Sequence, residues 1–315
     1  MIRPAIRRVH PLRRRPRGRT RPGLVLTFGV TCGLALLAGG VSSQQPPPGQ
    51  RGAGFGQPDS GRKKLLVWGD MRGGGAYHPA VSHAMAVIEQ LGRTSEVYDA
   101  YIRTDSQLIT KKPIAVNADG RDWPVRENLD FFDAIFFYGM REIPITDDQM
   151  TDLLAFVHDD GKGFVAVHTA GTAFQRYPEF GVMMGATYDG HPWGQVEAPL
   201  VVEDPSFPAM KHFPPIFSFR EEMYQPRFSR ENIRVLLRLD ASHLPKNDRV
   251  HQADGDFPQA WAKTYGKGRV FFSAIGHAAE TWDDPRVQTM YLEAIKWAME
   301  MTDADLTPRP LPAKD

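Results

Sequence analysis

Cysteine is nearly absent. Cys32 is the only one in 315 residues, so the chain can form no internal disulfide and holds no cysteine-type zinc motif. A phosphate cradle is missing as well. Gly73-Gly74-Gly75 follows an apolar run but lacks the Lys-Ser/Thr of a P-loop and the spaced glycines of a dinucleotide loop. No nucleotide is therefore expected, and the triplet reads as a flexible loop over a site. Acids are absent from residues 1–43, which carry nine arginines. The net charge of +1 less those nine leaves residues 44–315 at −8. A mildly acidic body argues against nucleic acid as a partner, because neutralising phosphates takes clustered Lys and Arg. Long apolar runs are scarce: Leu24–Ala38 is the only one of note, and it falls short of the ~20 residues of a helical span.

That run, its basic flank through Arg21 and the small residues Val41-Ser42-Ser43 read together as an export signal with cleavage before Gln44. The alternatives are an uncleaved anchor or a start codon placed too early. Cys32 lies inside the apolar run rather than after it, which argues against a lipid anchor there. The expected organisation is a signal peptide over 1–43, a Gln/Pro/Gly-rich disordered linker over 44–62, one domain over 63–303 and a polar tail over 304–315. Such a protein is periplasmic or extracellular, with no stable membrane span once the signal is removed.

Within the domain, strand and helix patterns alternate. Leu65–Trp68, Ala134–Tyr138 and Phe164–Val167 are short apolar runs of the kind buried in parallel sheets. Pro79 opens a helix with Val81, Ala84, Met85, Ile88 and Leu91 on one face, and Gly92 is expected to stop it. Thr146 and Gln149 make a capping box for a second helix that ends at Gly161. Val196–Val202, Ile233–Leu239, Gln259–Thr264 and Val270–Ile275 are further strand candidates, with a turn at Lys267-Gly268, and Asp284-Pro285 caps a last helix. The pattern predicts an α/β fold: a mostly parallel sheet covered by helices on both faces.

In such sheets ligands bind beyond the carboxyl ends of the strands. Gly69-Asp70 follows the first strand, and His78 precedes the first helix. His168 follows Phe164–Val167 directly, and the small residues after it make a tight turn that holds a side chain above the sheet. A histidine there serves as acid, base or metal ligand, unless it merely caps the turn. His191 sits between Gly190 and Pro192-Trp193, beside a flat apolar ring that suits a sugar; the plainer reading is a loop with a buried tryptophan. In Glu221-Glu222-Met223-Tyr224, neighbours on a strand point to opposite faces, so one carboxylate enters a given site unless both are solvated surface acids. His277 follows Gly276, with Trp282 nearby, or else marks a structural turn. The candidate catalytic set is His168, Glu222 and His277. Asp70, His78, His191, Trp193, Tyr224 and Trp282 are candidate substrate contacts. His168, His191 and Glu222 are candidate ligands of a zinc-like divalent metal.

These segments, with Phe132–Ile135, Gly161–His168, Gly185 through His191-Pro192, Ala260-Trp261, Tyr265–Val270, Gly276-His277 and Trp297-Ala298, resemble the trehalose-utilisation (ThuA-like) family over nearly all of 63–300. The resemblance implies a flavodoxin-like fold akin to class I glutamine amidotransferases. Where those enzymes place a nucleophilic cysteine at a strand-to-helix elbow, this sequence has His168; where they place its histidine, it has His277. With Cys32 outside the domain, amidotransfer is not expected. The family usually has Asp-Glu before the tyrosine, whereas this chain has Glu221-Glu222, and Glu222 keeps the expected acid. The implied role is carbohydrate utilisation, through trehalose or a 3-keto disaccharide. Acid/base or metal-assisted isomerisation or glycosidic cleavage would suit these residues; the alternative is a non-catalytic periplasmic sugar-binding module. Either way the partner is a small-molecule sugar.

Overall fold

The computed structural model describes residues 60–75, 78–118, 121–125, 127–252 and 254–312. The expected signal peptide, with Cys32, and most of the expected linker lie outside the described residues. In chain order the first elements are β1 (Lys63–Asp70), α1 (Ala80–Ser95), β2 (Tyr98–Arg103), β3 (Ile114–Ala118), β4 (Arg121–Val125) and β5 (Ala134–Gly139). Next come α2 (Asp147–His158), β6 (Gly163–Val167), α3 (Pro178–Met184), β7 (Ala186–Tyr188), β8 (Gln195–Val202) and β9 (Ile216–Glu222). The chain finishes with β10 (Pro226–Phe228), β11 (Arg234–Leu239), β12 (Pro258–Tyr265), β13 (Gly268–Ser273) and α4 (Pro285–Ala298). No helix among the described residues is long and apolar enough to cross a membrane.

One nine-stranded sheet runs β2-β1-β5-β6-β13-β12-β11-β8-β9. Its first five strands pair in parallel, and the remaining pairings are antiparallel. The sheet is thus α/β with a parallel half and an antiparallel extension. The extension follows from the connections: the tight turn at Gly266, with φ of 57°, reverses the chain between β12 and β13 and forces antiparallel pairing. Alternate residues of β1 serve the two faces. Leu65 and Val67 pack with α1 and α4, while Leu66 and Trp68 pack with α2 and α3.

Thr146 and Gln149 form the expected capping box, and Asp284 caps α4 at Pro285. Gly92 does not stop α1, which continues to Ser95 and closes on Glu96 at φ 57°. The glycine is there because the Tyr98 ring lies against it: a Cβ would come within 2.4 Å of Tyr98 Cε2. Residues of the polar tail lie against the domain, with Ala304 and Leu306 packed on the core and the Thr307 carbonyl accepting from Arg234.

That arginine and Asp204 form a buried ion pair, Nη2 to Oδ2 at 2.8 Å and Nε to Oδ2 at 2.9 Å. Burial opposes ionisation of Asp204, but bonds from Ser206 and Arg234 outweigh it and hold the carboxyl below its ordinary value. Its contribution is therefore full above the unfolded value of about 3.9 and is lost as the pH falls through the lower folded one. Asp204→Ala strands a buried guanidinium and is expected to cost about 3–5 kcal/mol in denaturant unfolding at neutral pH. A loss within experimental error would mean that Arg234 finds water or another acceptor.

Candidate functional site

The site gathers at the carboxyl ends of the parallel strands. His168 comes directly after β6 and opens a short 3-10 turn over His168–Thr172. Its φ of 46° is left-handed, unusual for a residue with a Cβ, and the strain of about 1–3 kcal/mol marks an over-determined position. Its Nδ1 lies 2.8 Å from the Ala274 carbonyl, just past β13. A carbonyl only accepts, so Nδ1 carries the hydrogen and the Nε2 lone pair faces the site. A backbone oxygen behind one ring nitrogen is the usual support for a histidine that ligates through the other.

Three further side chains close around that nitrogen. His277 follows Gly276, and its Nδ1 lies 3.1 Å from His168 Nε2. Glu222, at the end of β9, puts Oε2 3.4 Å from both His168 Nε2 and His277 Nδ1. His78, just before α1, packs its ring 5.4 Å from that of His168 and 5.0 Å from that of His277. One ligand atom from each of the four lies within 4.8 Å of every other. Tetrahedral zinc with bonds of ~2.05 Å sets its donors about 3.4 Å apart. The three shortest separations match that edge length, so this donor set can hold a divalent cation.

Glu222 is ionised. Burial opposes its charge, but contacts with His168 and His277 outweigh it and hold the carboxyl well below the usual range. The same contact with Glu222 raises His277 above its ordinary value against the lowering by burial. Tyr224 is fully buried with its ring stacked at 4.7 Å on His168 and its hydroxyl 3.2 Å from Nε2. Burial first, then Glu222, pushes its phenol well up, so it stays a neutral donor.

β9 is four places from β13 in the sheet, yet its last residues meet the loop after β13, so the antiparallel extension curls back over the strand ends. Glu221 makes that closure. Its buried carboxylate accepts from the Gly276 N–H at 2.9 Å, the His277 N–H at 3.2 Å and the Thr281 hydroxyl at 3.1 Å. The two neighbouring acids do point apart, as strand alternation requires: Glu222 to the histidines, Glu221 to the backbone. Gln259 of β12 holds Tyr224 from behind, accepting from its N–H and donating to its carbonyl. Gln259 was missed in the sequence, where a lone glutamine inside a strand carries no signal.

Several assignments change. The fourfold set replaces His191 with His78 and His277. His191 stands beyond it, with Nδ1 3.4 Å from the other Glu222 oxygen, too poorly aligned for a hydrogen bond, and its side chain 40% exposed. Asp70 is buried and committed to Arg72, whose Nε and Nη2 donate to it. Trp282 is no sugar platform: it lies in the core, stacked on Tyr291, with Nε1 donating to the Gly276 carbonyl. Trp193 spends its Nε1 on the Pro245 carbonyl and packs edge-on against Phe257, so it pins its loop.

Glu221→Gln would remove the charge from four donors, the Glu222 N–H included, while nearly keeping the shape. It is expected to lower stability by about 1.5–3 kcal/mol, the worth of a hydrogen bond to a charged group. Thermal unfolding of the two proteins reads this directly, and an unchanged midpoint would show that the closure does not depend on the carboxylate.

Two solved structures of ThuA-like proteins share this fold. A putative ThuA-like protein from Bacteroides uniformis ATCC 8492 superposes with a TM-score of 0.59 at 19% identity, covering 78% of this chain and 95% of that one. A second, from Parabacteroides merdae ATCC 43184, gives 0.56 at 17% identity, covering 79% and 97%. A glutamine amidotransferase from Thermotoga maritima also matches, with a TM-score of 0.43 at 9% identity, covering 76% and 99%. No curated protein matches the chain. The family model ThuA, described as trehalose utilisation, matches residues 64–298, and on that span the chain belongs to the ThuA family.

Proposed function

We propose that this protein is an exported enzyme of sugar utilisation that binds one divalent cation, with zinc-like preferences, and moves a proton next to a sugar ketone. The observation that carries the reading is the donor set: three imidazole nitrogens and one carboxylate oxygen within 4.8 Å of one another. His78, His168, Glu222 and His277 would hold the ion. The family description, trehalose utilisation, points to a disaccharide, and the proton abstraction proposed here would act on its 3-keto form.

A bound cation would act as a Lewis acid, stabilising negative charge on the ketone oxygen as the neighbouring carbon loses its proton. The chain's own groups do the rest. His191, partly exposed and facing the free side of Glu222, is placed to take that proton. Tyr224, a neutral phenol stacked on His168, holds that imidazole in place. Delivering that proton to the former carbonyl carbon, while the neighbouring hydroxyl's proton passes to the former ketone oxygen, gives isomerisation. Expulsion of the glycosidic oxygen instead gives cleavage, the oxygen leaving as an alcohol once protonated. No thiol takes part, because the elbow carries His168.

Elemental analysis of the purified wild-type chain after zinc loading and dialysis is expected to find about one ion per chain, and His168→Ala or Glu222→Ala is expected to lose it. His191→Asn should keep the ion and lower kcat on a 3-keto disaccharide by about 10²–10⁴. Stoichiometric metal with no turnover of trehalose or its 3-keto form would return the protein to the class of binding modules. Export is checked separately: the mature chain should appear in the periplasmic or extracellular fraction with an N-terminus near Gln44, and recovery of the full-length chain from the cytoplasm would refute it.

A further inference from the structure

Beside the four-residue cluster lies a cleft of about 390 Å³ that the chemistry above does not use. That volume falls in the range of small-molecule sites. Gly171, in the turn opened by His168, forms part of its wall, and Tyr188 stands between the cleft and the cluster. The Tyr188 ring meets Tyr224 edge-on at 4.9 Å, and the Tyr224 hydroxyl is 3.2 Å from His168 Nε2. Two aromatic rings, Tyr188 and Tyr224, therefore separate the cleft from His168, and the Tyr188 ring also lies 5.9 Å from that of His191.

The cleft is built by parts the main sheet does not need: α3 and the two-stranded ribbon of β7 and β10. Its lining suits a pyranose. Tyr188 offers an aromatic face for a sugar's C–H surface, while the Tyr177 ring carries the Arg176 guanidinium 4.7 Å from its centroid. Asp189 and Arg227 pair at 2.7 Å and supply acceptor and donor side by side, with Arg227 73% exposed. Their charges cancel, which favours a neutral glycosyl unit over an anionic one.

We propose that this cleft is a second sugar subsite, holding the glycosyl unit attached to the ring on which the cluster acts. The proposal rests on the sugar-processing reading of the cluster and extends it to a disaccharide. A second cleft of about 470 Å³ borders Ala278 on the other side of His277. It is lined by Glu197, Arg220, Glu280 and Arg286, and the Arg286 guanidinium lies 5.6 Å from the Phe219 ring centroid, over its face. It therefore offers charge without a free aromatic face.

The test fills each cleft from an exposed strand position: Thr187→Trp in the first, Ser218→Trp in the second. Calorimetry on the zinc-loaded full chain then compares 3-keto-trehalose with 3-keto-glucose. Thr187→Trp should weaken the disaccharide at least about tenfold, or 1.4 kcal/mol, and leave the monosaccharide unchanged. Ser218→Trp should change neither, and Arg227→Ala should weaken the disaccharide in the same direction with zinc content unaltered. An equal loss for both sugars, no loss in Thr187→Trp, or a disaccharide-selective loss in Ser218→Trp overturns the subsite. Discrimination between the two sugars in a chain that holds no metal would keep the subsite and overturn the metal reading. Binding of neither sugar by the metal-loaded wild type would overturn the subsite and the sugar substrate together.

Discussion

Glu222 sits at the junction of every segment that makes the site. One of its oxygens lies 3.4 Å from His168 and from His277, and the other 3.4 Å from His191. Those residues follow β6, follow β13 and precede β8, while Glu222 itself ends β9 at the sheet's edge. Meeting there requires the antiparallel extension to bend back over the parallel strand ends. Glu221 fixes the bend by bonding the backbone of Gly276 and His277. Two adjacent acids thus divide the work, one closing the fold and the other facing the ligand side.

Their charges sharpen the case for a cation. Neither Glu221 nor Glu222 has a lysine or arginine ion-pair partner among the described residues; Glu222 meets only histidines, and Glu221 meets N–H and O–H groups. Glu221 is buried and Glu222 half-buried, at 0% and 13% exposure, and neither meets a fixed cation among the described residues. Elsewhere the chain pairs its buried acids fully, as in Asp204 with Arg234 and Glu203 with Arg230 and Arg238. A divalent ion held by three neutral imidazoles and Glu222 would leave one positive charge in excess, which the neighbouring Glu221 would offset.

The fold was legible where local chemistry decided it. The capping box at Thr146, the Pro285 start of α4 and the apolar runs of β1, β5 and β6 each carry their signal within a few residues. Gly92 misled because the packing of Tyr98, not the helix itself, asks for glycine there. The site was legible at the strand ends, where His168 and His277 stand out. It was not legible at Trp282 or Asp70, whose positions beside polar loops look the same whether the side chain turns inward or outward. Nor did any local pattern say that His78 rather than His191 joins the fourfold set, because that depends on how far the loop before α1 reaches across the sheet.

The elbow explains why its residue is a histidine. At φ 46° the backbone is strained, so the side chain must gain enough contacts to hold it there. An imidazole spans two partners at once: Nδ1 ties back to the Ala274 carbonyl, and Nε2 reaches forward to His277, Glu222 and Tyr224. A serine or cysteine at the same position has a single short reach and would satisfy only one side. The imidazole thereby couples the ends of β6 and β13 mechanically while presenting a fixed lone pair. The turn after β6 thus aims an imidazole nitrogen over the strand ends, where a serine or cysteine would reach only one side.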